Sequence, residues 1–317
     1  MTATENTRTA ALVYHELPHP GLIRFSGEEA QPFLHNQLTC DVAALAPGSS
    51  TYGAHCTAQG RALASFLLWR SEQGFFMQLP SSLREPVQKQ LSKFILRSKV
   101  KVEDVSSDRA LIGIAGKDAA ALVQQVLGTV PKSPHDVVHA DGMTVLCLPV
   151  DRYQIVVSRE HAPRLAEALG AAGKAGPEHW EWLVIRAGIP VILPETQEQF
   201  VPQMVNLDVI GGVSFNKGCY PGQEIVARMH YRGTLKQRMY LANIAVQQHP
   251  QPGDKLFSPG FGGQASGTIV NAARSPESGQ DVLAVVQIAS AGRGDIHWKT
   301  PDGPALKLLP LPYEVPG

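Results

Sequence analysis

Residues 21–25 (GLIRF) alternate in hydrophobicity as a half-buried strand does, and Ser26-Gly27-Glu28-Glu29 follows them. Ser26 with Glu29 is a capping-box pattern, which predicts a helix to about Leu38, although Pro32 leaves its start open by a turn. Tyr52–Thr57 and Arg61–Arg70 read as strands around the turn Ala58-Gln59-Gly60, and Phe75–Leu79 as a further strand. Ser82 with Glu85 is a second capping box and predicts a helix to about Leu96.

The pattern then repeats. GLIRFSGEEAQPFLHNQL (21–38) and ALIGIAGKDAAALVQQVL (110–127) align at constant spacing, with Leu22/Leu111, Ile23/Ile112, Gly27/Gly116, Ala30/Ala119 and Leu38/Leu127 coincident. Each copy is a strand, a Gly turn and an amphipathic helix, followed by strands and a second helix (75–96 and 153–171). Two α+β halves, about 20–105 and 106–190, are the expectation. His179–Ala187 (HWEWLVIRA) predicts one more helix, closed by Gly188-Ile189-Pro190. Residues 191–236 carry little periodicity, and long loops in compact domains are often functional. Beyond Gln237 the short β-type runs Met239–Val246, Lys255–Phe257, Thr268–Ala272, Val282–Ile288 and Ala305–Leu309 lie between Pro/Gly clusters with no helix pattern. The fold class expected is α+β: duplicated halves and a loop region over 1–236, then a small all-β barrel over 237–317.

Composition narrows the function classes. The 317 residues carry 28 Lys plus Arg against 28 Asp plus Glu, so a life spent wholly on nucleic-acid phosphate is disfavoured, while a local basic patch is still allowed. The 29 Gly and 24 Pro fit a turn-rich, strand-rich chain. No apolar run approaches the ~18 residues of a membrane span, and MTATENTRTA lacks the apolar segment of a signal peptide. Cys40, Cys56, Cys147 and Cys219 are scattered without a C-x-x-C pair, which predicts neither a zinc ribbon nor a disulfide scaffold, but a protein of a reducing, cytoplasmic compartment.

Reactive residue types concentrate in Asn216-Lys217-Gly218-Cys219-Tyr220-Pro221-Gly222-Gln223-Glu224. A Cys two residues from a Lys, between glycines, suits a nucleophile or a transient ligand, and Gln223 with Glu224 can hold a polar heterocycle. The plainer reading is a Gly/Pro turn around a buried Cys. Downstream, Arg228, Arg232, Lys236 and Arg238 accumulate, with His230 and Tyr231 interleaved; they read either as an anion clamp or as a solvated basic edge. Gln203, Asn206 and Asp208 are polar positions among apolar ones and can be simple turn formers. No phosphate-binding P-loop, Rossmann fingerprint or G-x-S-x-G elbow is present, and His135 with His139 lacks the carboxylate of an H-E-x-x-H site.

KGCYPGQE (217–224) resembles the K-G-C-aromatic-x-G-Q-E signature of the YgfZ family, folate-binding relatives of the glycine-cleavage T-protein linked to iron–sulfur protein maturation. FLHNQLTCDV (33–42), HCTAQGRALASF (55–66), IRAGIP (185–190), FVPQMVNLD (200–208) and VARMHYRG (226–233) resemble further blocks of that family. The resemblance implies a three-lobed arrangement around a channel for tetrahydrofolate. It implies folate contacts from Arg186, Gln203, Asn206, Asp208, Tyr220, Gln223, Glu224 and Arg228, and a functional pair in Lys217 and Cys219. The implied partners are folate, iron–sulfur client enzymes or cluster carriers, and tRNA through Arg228, Arg232, Lys236 and Arg238; no permanent metal or cluster is expected on the chain.

The chain departs from the enzymes of that fold. By the resemblance, the acidic pair of the aminomethyltransferases falls on Ala64 and Ser65, and a further Glu falls on Arg186. Aminomethyl transfer needs a carboxylate to manage protons at the folate nitrogens. The expected role is therefore a tetrahydrofolate-binding accessory protein for iron–sulfur cluster assembly or repair, with a one-carbon transferase or a tRNA-binding module as the alternatives.

Overall fold

The computed structural model describes residues 11–17 and 20–316. The N-terminal stretch read for a targeting segment, 1–10, lies outside the described residues. The first half holds β1 (Val13–Leu17), β2 (Gly21–Ser26), α1 (Ala30–His35), β3 (Ser50–Cys56), β4 (Ala62–Ser71), β5 (Gly74–Leu79), α2 (Ser81–Ser92) and β6 (Lys101–Asp104). The second holds β7 (Arg109–Ala115), α3 (Ala119–Leu127), β8 (Val137–Ala140), β9 (Met143–Leu148), β10 (Arg152–Ser158), α4 (Ala162–Ala168) and β11 (Gly173–Lys174). After α5 (Pro177–Arg186) come two short 3-10 turns, Pro194–Thr196 and Pro202–Val205, and then α6 (Gln223–Tyr231). The tail is β12 (Gln237–Ile244), β13 (Lys255–Phe257), β14 (Ala265–Arg274), β15 (Gln280–Gln287), α7 (Ile288–Arg293), β16 (His297–Trp298) and β17 (Leu306–Leu309).

The first two sheets share the order of four equivalent strands, and β1 lies between β7 and β11 in the second. One runs β3-β4-β5-β2-β6 and the other β8-β9-β10-β7-β1-β11. The strand read at 21–25 is present but is buried on both faces rather than alternately: Leu22, Ile23 and Phe25 are completely buried, and such side chains contribute about 1.5–3 kcal/mol each. The coincident glycines have a geometric cause. Gly27 (φ 110°) and Gly116 (φ 122°) turn each strand into its helix in a region closed to L side chains. A Cβ at Gly116 would sit 2.5 Å from the Ala11 carbonyl oxygen, and one at Gly27 would strike that of Lys99. In the equivalent strands β5 and β10, the side chains of Gln78 and Gln154 exchange hydrogen bonds of 2.6 and 3.2 Å.

The chain divides into two compact units, the described parts of 1–37, 41–52 and 66–180, and then 38–40, 53–65 and 181–317. In the second, the tail forms a sheet in the order β16-β13-β14-β15-β12-β17 around Ile244, Leu256, Ile269, Val286, Trp298 and Leu306. Its two ends meet: His297 bridges to Ala305, and Leu306 N donates to the Ile296 carbonyl oxygen. The sheet is a curled half barrel.

Three local expectations need correction. α1 spans only Ala30–His35, and Glu29 caps nothing through its side chain; its carboxylate instead accepts the Lys99 backbone N–H at 2.6 Å. α2 begins after Pro80 and stops at Ser92, and Glu85 pairs with Lys89 one turn on rather than closing a capping box. The tail does hold helical turns, α7 and the 3-10 turn Pro259–Phe261. His135 and His139 turn to separate partners, the hydroxyls of Ser50 and Thr144. Among the described residues, no helix is long and apolar enough to cross a membrane, and no three His, Cys, Asp or Glu gather as metal ligands.

Candidate functional site

The Lys217–Glu224 loop is built by two interlocked glycine turns. Gly222 (φ 82°) is the residue before the first turn of α6, and Gly60 (φ 71°) turns β3 into β4. A Cβ on Gly222 would lie 2.5 Å from Gly60 Cα and from the Thr57 carbonyl oxygen, so the two backbones meet where no side chain fits. The other end of the loop is tied to residues 38–40. Ser214 N donates to the Thr39 carbonyl oxygen at 2.9 Å, the Thr39 hydroxyl donates to Gly212 at 2.6 Å, and Lys217 Nζ donates to the Leu38 carbonyl oxygen at 2.5 Å.

Between these anchors the side chains take distinct places. The Lys217 ammonium lies 4.9 Å from the centroid of the Tyr220 ring, a cation–π contact. Tyr220 is buried, and burial, then the nearby Cys56 and Cys40 thiols, push its hydroxyl pKa up. Cys56 is buried too, and burial pushes its thiol up to about 12. Cys219 is exposed, alone among the four free cysteines. Gln223 Nε2 donates to the Lys217 carbonyl oxygen at 3.4 Å, while Glu224 and Arg228 are exposed on α6.

The residues at 203–208 form a separate, buried polar layer. Gln203 Nε2 donates to the Val226 carbonyl oxygen at 2.7 Å, and Asn206 Nδ2 to that of Met239 at 2.9 Å, tying this segment to α6 and β12. Asn206 sits at φ 59°, a left-handed position that Asn tolerates. Asp208 receives both guanidinium nitrogens of Arg238, at 2.7 and 3.0 Å, and Arg238 Nη1 also donates to the Gln203 carbonyl oxygen. Arg238 is 7% exposed, so it is no part of the basic surface in which the sequence places it. A buried bidentate pair is costly to break from one side.

Arg186 is elsewhere again, buried at the end of α5 with its guanidinium 3.6 Å from Asp281 Oδ2, which also accepts the Trp182 indole N–H. Ala64 is fully buried, and the Ser65 hydroxyl donates to the Pro190 carbonyl oxygen while accepting the Ile192 N–H, each at 2.9 Å. The site residues thus form three groups: the signature loop with Lys217, Cys219, Tyr220 and Gln223; the buried layer of Gln203, Asn206 and Asp208; and Arg186 beside Asp281.

One group escapes a reading of the sequence. Phe215 stacks on His230, ring centroids 3.7 Å apart and 11° from parallel, and Tyr231 meets both edge-on. Phe215 precedes the signature and carries no motif of its own. Only its fold onto the last turn of α6 brings it to His230.

The family described as GCVT N-terminal domain matches residues 3–214. The tRNA-modifying protein YgfZ of Escherichia coli O127:H6 is 33% identical over 298 residues, which covers 93% of this chain and 91% of that protein. The protein of the same name from Escherichia coli K12 matches equally, at 33% over 298 residues with the same coverage of 93% and 91%. The crystal structure of the glycine cleavage system aminomethyltransferase T from Bartonella henselae superposes with a TM-score of 0.79 at 19% identity, covering 98% of this chain and 88% of that one. That likeness shows the fold: the chain is built as a T-protein is.

Proposed function

The chain belongs to the YgfZ family, and on that premise we propose that it is a tetrahydrofolate-binding accessory protein in tRNA modification, acting through assembly or repair of iron–sulfur clusters in client enzymes. The observation that carries this reading is the Lys217–Glu224 loop, anchored at both ends yet presenting Cys219 to solvent. Such effort spent on holding one exposed thiol suits a contact with a partner's reactive centre.

A reduced folate fits the residues by one independent observation. Gln203 Oε1 and Asn206 Oδ1 are buried and accept no hydrogen bond among the described residues. Buried acceptors without donors are costly, and a pterin is rich in N–H donors. Gln203, Asn206 and Gln223 would hold the pterin, and Arg228 the glutamate carboxylates. Bound tetrahydrofolate supplies a reduced pterin able to carry one-carbon units. At the positions where the resemblance places the transferase acids no carboxylate stands: Ala64 and Ser65 carry none, the Ser65 hydroxyl being engaged with Pro190 and Ile192, and Arg186 faces Asp281. Cys219 lends its thiolate as a transient ligand to iron in transit, and its proton leaves to solvent.

The test is a deletion strain scored for iron–sulfur enzyme activities and for modified tRNA nucleosides. Add-back of this chain restores both, and add-back of Cys219→Ala restores neither. Undiminished cluster enzymes in the deletion strain would remove the proposed role. Full complementation by Cys219→Ala would remove the thiol from it.

A further inference from the structure

We infer that the exposed end of α6 is a stacking platform for unpaired nucleotides of a polynucleotide. Tyr231 is 64% exposed, one of three exposed large apolar side chains among the described residues. It is held edge-on, 4.8 Å from the centroid of His230, which is itself stacked on Phe215. Three rings fixed against one another at the surface offer a π face with little motion left to lose on binding.

The charge around these rings selects the partner. From Phe215 to Lys236 the chain carries Lys217, Arg228, Arg232 and Lys236 against a single acid, Glu224, in a protein whose 28 cations and 28 anions balance over the whole chain. Lys217 points to the Leu38 carbonyl oxygen and Tyr220. Arg228, Arg232 and Lys236 are exposed and make no ion pair among the described residues. Arg228 and Arg232 lie one helical turn apart, joined by the Arg232 N–H to the Arg228 carbonyl oxygen, and they bracket His230 and Tyr231 in sequence at the end of α6. A partner that is both polyanionic and aromatic matches; stacked bases with phosphates between them are that chemistry. A paired helix buries its base faces, and an acidic peptide offers no stack.

This inference goes beyond the folate reading and does not require it. The probes are a fluorescein-labelled oligouridine 12-mer, the oligothymidine of equal length and a blunt duplex, followed by anisotropy over a salt series. Both single strands bind in preference to the duplex, and the stronger of the two names RNA or DNA as the source. With three phosphate contacts, log K falls against log salt with a slope of about −2. Tyr231→Ala weakens single-strand binding about fivefold or more with the slope kept. Arg232→Ala reduces the slope by about 0.7. Both variants melt as the wild type does and still bind tetrahydrofolate, so loss of the platform and failure of the folate site are separately visible. No single-strand binding, equal binding to the duplex, or an unchanged affinity in Tyr231→Ala would overturn the platform.

Discussion

Replacing Gly222 by alanine asks how much of the signature loop rests on the backbone contact with the β3–β4 turn. Two costs are expected. The residue sits at φ 82°, where an L side chain loses about 1–2 kcal/mol. The new Cβ would also meet Gly60 Cα and the Thr57 carbonyl oxygen at 2.5 Å and Gly60 N at 2.6 Å. All three are backbone atoms that cannot rotate away, and forcing a methyl into packed structure costs about 1–3 kcal/mol. The sum, about 2–5 kcal/mol, has a built-in control. Gly211 has φ 78° but nothing within 4 Å of a Cβ, so Gly211→Ala reports the conformational cost alone. Chain-entropy gains in the unfolded state, about 0.4–1 kcal/mol, are common to both variants and cancel in the difference. Urea denaturation of the two variants should therefore differ by about 1–3 kcal/mol, with Gly222→Ala the weaker. Equal losses, within about 0.5 kcal/mol, would show that the loop is not seated on Gly60 and refute the reasoning.

Three further outcomes follow from the same geometry. Asp208→Ala leaves the Arg238 guanidinium buried without its carboxylate and should cost about 3–5 kcal/mol; a double-mutant cycle with Arg238→Ala should show strong coupling, and additive losses would count against the pair. Ser65→Ala should cost about 1–3 kcal/mol by stranding the Pro190 carbonyl and the Ile192 N–H, and neither wild type nor Ser65→Asp should form methylene-tetrahydrofolate from an aminomethyl-lipoyl carrier; measurable product from the wild type would contradict the accessory role. Iodoacetamide at pH 8 should label Cys219 fast and spare Cys56, whose thiol at about 12 stays protonated there; mass spectrometry finding Cys56 alkylated as fast as Cys219 would contradict the burial.

The strands and the duplication are legible because their signals are local. The apolar run Leu22, Ile23 and Phe25 and the turn glycines Gly27 and Gly116 report constraints that lie within a few residues. Family likeness in KGCYPGQE marks the signature loop, but not why Gly222 is needed; that answer lies in Gly60, far away in sequence. Arg238 misleads for the same reason. In a run of cations it reads as surface, yet it falls on an inward position of β12 and meets Asp208 across thirty residues of chain. Phe215 is invisible until it stacks on His230. The Ser26–Glu29 box fails because the Glu29 carboxylate finds a better donor in the Lys99 N–H, a choice made by tertiary structure.

The account stands most directly on a calorimetric titration of the intact chain with tetrahydrofolate, read beside a thermal melt. A single 1:1 site is expected, with stability rising as the free ligand exceeds its dissociation constant, by about 2.7 kcal/mol at a hundredfold excess. Gln203→Leu, which removes one of the two buried acceptors, should weaken the site. No heat and no thermal shift at millimolar tetrahydrofolate would contradict the central claim.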